Sequence, residues 1–276
     1  MAVRTSQRSC WLLVLLMPGL GIGVAHAEAG NPLTDRFSVS LGTFLLDTET
    51  DIRVDGAAGN GTEFDAERTL GLDDSDRFRV DGYWRFADRH RLRVLYFDTS
   101  RSARQVIDTE LRVGDVVFPL QAELESTFET RVAELAYEYA FLKRDNYEVA
   151  ATIGVHDLRF ELDLSATRTG SGQPLSLQRT ANANGPLPVI GLRGTWRLND
   201  RFYLDAQAQY FRISLDPYDG RLEDYMASVV WQAFKHVALG VGYNEFVTRI
   251  DVSDDDFDGR LRWKYGGVRI FLTGSF

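Results

Sequence analysis

The stretch that decides the fold is Tyr265–Phe276, "YGGVRIFLTGSF". Counting back by twos from Phe276 gives Leu272, Ile270 and Val268. The intervening positions are Ser275, Thr273, Arg269 and Gly267, with Phe271 the one apolar intruder. A period of two is the signature of a β-strand with one apolar and one polar face. A terminal strand frays in water unless something ties it down. The fold therefore turns on what this strand pairs with and which solvent its apolar face meets.

The same alternation runs through most of the chain. "FRVDGYWRF" sets Phe78, Val80, Gly82, Trp84 and Phe86 against Arg79, Asp81, Tyr83 and Arg85. "VIGLRGTWRL" sets Ile190, Leu192, Gly194 and Trp196 against Arg193, Thr195 and Arg197. No long stretch repeats at helical spacing. Short connections occur at 87–90, 143–146, 199–201 and 235–236, each after a strand ending in an aromatic residue or Leu. Polar connections rich in Gly and Asp cover roughly 47–76, 101–125, 167–186, 216–221 and 251–258. Four tight turns and five long loops give ten strands, near 36–46, 77–86, 90–100, 126–142, 147–164, 187–198, 202–215, 222–234, 237–249 and 261–276. The strands around "FETRVAELAYEYAF" and "HDLRFELDLSATRTG" are long enough to continue beyond a membrane, and "TEFDAERTLGL" could form an extra hairpin with "TDIRVDG".

The N-terminus sets the compartment. Arg4 and Arg8 precede an apolar core from Trp11 to Val24, followed by Ala25-His26-Ala27. This is the pattern of a secretory signal peptide cleaved after Ala27, too short to span a bilayer. Residues 28–276 then form a single domain. Cys10, the only cysteine, leaves with the signal, which removes disulfide and thiol chemistry. Losing two Arg and no acid takes the net charge from −9 to −11, which argues against a nucleic-acid partner. No cofactor is implied.

Alternation alone also suits a water-soluble β-sandwich or a lipocalin-like barrel. The second face here carries dense charge of both signs, aromatics cluster beside the short turns, and turn length alternates strictly. Those are features of an all-β, antiparallel transmembrane β-barrel with short periplasmic turns and long extracellular loops. Closure of the last strand on "RFSVSLGTFLL" leaves no unpaired backbone in hydrocarbon. Phe276 then lies at the periplasmic interface.

On signal peptide, hairpin rhythm and terminal Phe276, the chain resembles the small Gram-negative outer-membrane β-barrels, the group of the OmpA transmembrane domain and the OmpW-like proteins. The resemblance implies residence in the outer membrane among lipid and lipopolysaccharide, as a monomer. It also implies that Phe276 on its alternating strand is the signal read by the barrel-assembly machinery.

The inward face should carry Arg77, Arg79, Arg85, Arg91, Arg93, Arg193, Arg197 and Arg269 against Asp81, Glu134, Glu138, Glu148 and Asp205. Arg suits buried pairs because its planar fork grips carboxylates bidentately. Such a lumen is either a salt-bridged plug or a narrow charged channel. Barrels of this size also include the omptin proteases and lipid A-modifying hydrolases. After signal removal only His90, His156 and His236 remain; the first and last fall at periplasmic turns, and His156 sits higher, in "IGVHDLRF". The apolar parity switches there, from Val149, Ala151, Ile153 and Val155 to Leu158, Phe160, Leu162 and Leu164, which points to a bulge. No nucleophile or base partner for His156 is legible. Asp254, Asp255, Asp256 and Asp258 make an oxygen-rich loop, but they do not fit the EF-hand spacing. Solvated loop charge, or weak divalent bridging to lipopolysaccharide phosphates, accounts for them.

Overall fold

A computed structural model describes residues 31–73, 77–168, 175–215, 218–253 and 258–276. The predicted signal peptide and Asp254–Asp256 lie outside these residues, as does the side chain of Asp258.

Ten long strands form one closed antiparallel barrel. They are β1 (Phe37–Asp55), β3 (Arg77–Ala87), β4 (His90–Val106), β7 (Glu123–Lys143), β8 (Tyr147–Arg168), β9 (Leu175–Arg197), β10 (Phe202–Leu215), β11 (Tyr218–Phe234), β12 (Val237–Ser253) and β13 (Asp258–Ser275). Each pairs with its neighbour in sequence, and β13 closes on β1 from Ser38↔Ser275 up to Asp55↔Asp258. Backbone hydrogen bonds to β1 and β12 hold the last strand, and Phe276 exchanges bonds with Phe37.

The strands are longer than the sequence reading gives. β8 has 22 residues, about twice the 9–11 that cross a bilayer. Between Ala150 and Leu164 its pairing with β7 runs without interruption, so the expected bulge at His156 is absent. The register shifts instead beside three short turns, at Arg85/Ala87, Ala140/Leu142 and Gln232/Phe234. Even-numbered residues of β8 from Glu148 to Ala166 face inward.

What changes near His156 is the medium, not the parity. Below it, Ile153 faces out while Glu148 and Thr152 face in; above it, Arg159 and Glu161 face out while Leu158, Phe160, Leu162 and Leu164 face in. The other barrel strands invert in the same way, except β3, which begins at Arg77 near the boundary. On β13, Val268, Ile270 and Leu272 face out below, and Arg260, Arg262 and Lys264 face out above. Inward, the same strand changes from Thr273 and Arg269 to Tyr265, Trp263 and Leu261. The lower half is thus apolar outside and polar inside, as hydrocarbon requires. The upper half is polar outside and apolar inside, as water requires. The lower band is edged near the short turns by aromatics such as Trp84, Phe86, Tyr139 and Trp231, all exposed, matching an interface girdle.

A charge introduced in the lower band should be costly for this reason. Ile270→Arg is expected to destabilise the folded barrel by about 2–4 kcal/mol, as for a cation at the bilayer midplane. Arg159→Leu, on the same outer face but higher, should change stability by less than about 0.5 kcal/mol. Urea titrations in lipid vesicles check both, and equal effects would refute the two-solvent division.

The upper half is completed by shorter elements. "TDIRVDG" continues β1, and of "TEFDAERTLGL" only β2 (Phe64–Asp65) pairs with it. The rest forms α1 (Ala66–Leu70), capped by Asp65 accepting from Arg68 N and ended by Gly71 at φ 71°. A small hairpin, β5 (Leu111–Val113) with β6 (Val116–Phe118), buries Leu111, Val113 and Phe118 over the barrel mouth. One seam stays open: β9 pairs with β10 only from Ile190↔Tyr210 down to Arg197↔Tyr203. Above it β9 is bonded to β8 alone, and Pro186 and Pro188 lie on this stretch, where they offer no N–H.

Candidate functional site

The lumen is filled in three tiers. In the lowest, guanidinium and carboxylate groups alternate in a chain. Arg85 Nη1 lies 2.9 Å from Glu148 Oε2, and Glu148 Oε1 lies 2.7 Å from Arg91 Nη2. Arg91 Nε and Arg93 Nε lie 2.9 and 3.0 Å from the two oxygens of Glu138. Asp81 receives Arg269 at 3.0 Å and Arg79 at 3.4 Å, with Arg93 at 4.0 Å. Arg193 pairs with Asp205. These groups come together because β3, β4, β7, β8, β9, β10 and β13 all turn their charged parity inward, where paired charges replace the lost hydration.

Phe271, the apolar intruder of the last strand, has a place in this tier. Its ring lies over Gly240, where a Cβ would sit 2.0 Å from the ring, and the Arg269 guanidinium stacks on it at 4.1 Å. Segment 31–36 closes the periplasmic end: Leu33 is buried, and the Pro32 carbonyl accepts from Tyr83 and Arg85. A cavity of about 60 Å³ remains in this tier, room for a few waters.

The middle tier is mostly amide and carboxylate. Asn244 Nδ2 donates to Asp224 at 2.6 Å and Gln207 Nε2 donates to it at 3.0 Å. Arg79 donates to Asn244 Oδ1 and Arg193 donates to Gln207 Oε1. Gln209 Nε2 donates to Glu134 at 2.7 Å, and His156 Nε2 lies 3.0 Å from Gln209 Oε1 and 3.7 Å from Glu134. Counting the two tiers, six arginines (79, 85, 91, 93, 193, 269) meet six carboxylates (81, 134, 138, 148, 205, 224). The lumen charge cancels.

The upper tier is dry. Phe246 stacks on Tyr265 at 5.1 Å, Trp263 packs against both, and Phe160 meets Trp263 at 5.2 Å. Leu70, Leu111, Phe118 and Leu158 complete this core, each fully buried. Glu67 of α1 anchors the plug by accepting from Thr50 N, Thr50 Oγ1 and Arg101. At the mouth, hydrogen bonding from Arg53 and the Gly61 amide holds the Asp55 carboxyl below the usual carboxylate range.

Two of the arginines expected in the lumen lie outside this network. Arg77 stands where β3 begins, half-exposed, and donates to the Ser100 carbonyl. Arg197 is half-exposed at the periplasmic mouth. Both sit at strand ends. Asp224, Gln207, Gln209 and Asn244 join the network although sequence reasoning did not pick them as site residues; only the inward parity of Gln207 and Gln209 on β10 hinted at them.

His156 is not a rim residue. It is 1% exposed, with its ring against Phe246 at 5.8 Å and the apolar core above it. His90 bonds the Tyr137 hydroxyl at 2.6 Å within the lower aromatic girdle. His236 donates from Nδ1 to the Ser275 carbonyl and stacks on Phe276 at 4.9 Å.

No protein-family model and no curated protein sequence matches the chain. Among solved structures, the outer-membrane protease OmpT from Escherichia coli superposes with a TM-score of 0.60 at 13% identity, covering 88% of this chain and 97% of that one. Looser likenesses, with TM-scores of 0.34 and 0.38, are to Ail, the attachment invasion locus protein of Yersinia pestis, and to the Pseudomonas putida toluene transporter TodX. Ail covers 86% of this chain and 98% of its own at 10% identity. TodX covers 90% and 93%, also at 10% identity. At these identities the likeness is one of fold: a closed outer-membrane β-barrel.

Proposed function

We propose that the chain is an integral outer-membrane protein whose sealed barrel is a rigid pedestal for an ordered extracellular head, acting in envelope support or surface interaction and not in conduction or hydrolysis. The observation that carries this reading is the filling of the lumen from end to end: segment 31–36 below, a charge-neutral network in the middle, a dry aromatic core above. An open aqueous pore needs a continuous wet path, and Trp263, Tyr265 and Phe246 stand across it, all buried. The burial of His156 supports a non-catalytic role for it. The signal-peptide pattern supports export and residence in a Gram-negative outer membrane, and the exposed Phe276 supports the proposed role of the last strand in assembly.

The test is to refold the mature chain into planar bilayers and record single-channel currents. Silence is expected from protein whose heat-modifiable gel mobility proves it folded. Discrete, reproducible conductance would overturn the reading, and Arg79 and Arg193 would then become candidate selectivity residues.

A further inference from the structure

Four arginines stand side by side on the outer wall. Arg212 is the cross-strand neighbour of Arg221, Arg221 of Arg249, and Arg249 of Arg262, on the adjacent strands β10 to β13. All four turn outward; the first three are exposed and Arg262 is half-exposed. At about 4.8 Å per strand the row spans roughly 14 Å. Like charges directly opposite each other weaken a sheet, so such a row calls for anions. Among the described residues, the carboxylates next to the row on this face are Glu223, Asp51, Asp219 and Asp251, the last held by Arg260. Arg221 pairs with Glu223, and Arg262 Nη1 donates to Asp51 at 3.0 Å. Among the described residues Arg212 and Arg249 have no ion-pair partner.

The row has a fixed relation to the lipid-facing band. Arg212 is one outward position above Tyr210, and Arg221 two above Tyr225. Arg249 and Arg262 are each three above Tyr243 and Val268. The ladder therefore starts at the aromatic boundary and climbs away from it, and the Arg221 guanidinium leans over the Tyr210 ring at 5.9 Å.

We propose that this ladder holds the phosphates of a phosphorylated glycolipid of the outer leaflet. The guanidinium fork matches phosphate bidentately. The start of the row at the lipid boundary favours a membrane anion over a soluble one, and its climb suits a headgroup carrying more than one phosphate. The proposal rests on outer-membrane placement.

The test uses the full mature chain in micelles of zwitterionic detergent. It is titrated with bisphosphorylated lipid A and with the same lipid stripped of phosphate, and bound lipid is counted by native mass spectrometry. The wild type should retain the phosphorylated lipid and not the stripped one. The double variant R212Q/R249Q, which breaks no internal ion pair among the described residues, should bind it about tenfold more weakly or worse. Equal retention of the two lipids by the wild type, or of the phosphorylated lipid by both proteins, would overturn the proposal. So would a soluble sulfated polysaccharide that binds the row as tightly as the lipid. Folding is read separately from gel mobility: a wild type that never inserts would sink the outer-membrane reading, and a variant that fails to fold leaves the two-lipid comparison to decide.

Discussion

Glu138→Ala should cost the barrel about 3–5 kcal/mol, the size expected when one partner of a buried ion pair is removed. Glu138 is fully buried and holds two guanidiniums, those of Arg91 and Arg93. Its loss strands Arg93 in a space where few waters fit. Arg91 keeps Glu148, but Arg93 keeps only Asp81 at 4.0 Å. Removing the stranded charge as well should therefore recover stability: Glu138→Ala with Arg93→Ala should cost clearly less than the sum of the single changes. A double-mutant cycle from urea unfolding in lipid vesicles measures this. Strict additivity would mean that the residues do not act as a pair and that the lumen is wetter than its packing implies.

The second large effect belongs to the other half of the molecule. Trp263→Ala should cost about 3–5 kcal/mol through lost burial and the cavity it leaves. Trp263 is 1% exposed and touches Phe160, Phe246 and Tyr265. The loss should be local: protease should cut the extracellular connections faster while the lipid-embedded half keeps its protection. Unchanged proteolysis would show that the head draws its order from its strands alone and not from this core.

The lipid-facing halves of the strands were readable because one period-two pattern persists and its apolar residues are large. "FRVDGYWRF" and "VIGLRGTWRL" gave the inward arginines by parity. The upper halves were harder for a physical reason. Residues 167–186 read as a loop because an apolar outer face marks a strand only below the boundary, and above it the outer face is polar. The inner face of β9 there carries Arg179, Ala181, Ala183 and Gly185, a charge and small side chains that do not mark a strand against Asn182 and Asn184. At His156 the same inversion passed for a bulge. In the site, parity shows which residues face the lumen but not which ones meet. Asp224, in "RLEDYMASVV", is adjacent to Glu223, and only the register decides that the first faces in and the second out. Arg77 and Arg197 have the right parity at the wrong height.

The two halves of each strand also constrain how the molecule is made. Nine of the ten barrel strands, all but β3, run through both the charged core of the barrel and the dry core of the head. The lower half gains nothing from closing in water, because its outer face is apolar. The upper half favours water but has to reach the far side of the bilayer first. Arg159, Glu161, Arg260 and Arg262, on the outer face of that half, must therefore cross the hydrocarbon before the head exists. Their passage is an uphill step, and the driving force for it is the completed barrel waiting at the end: biogenesis is vectorial, and the head is the last part of the protein to become itself.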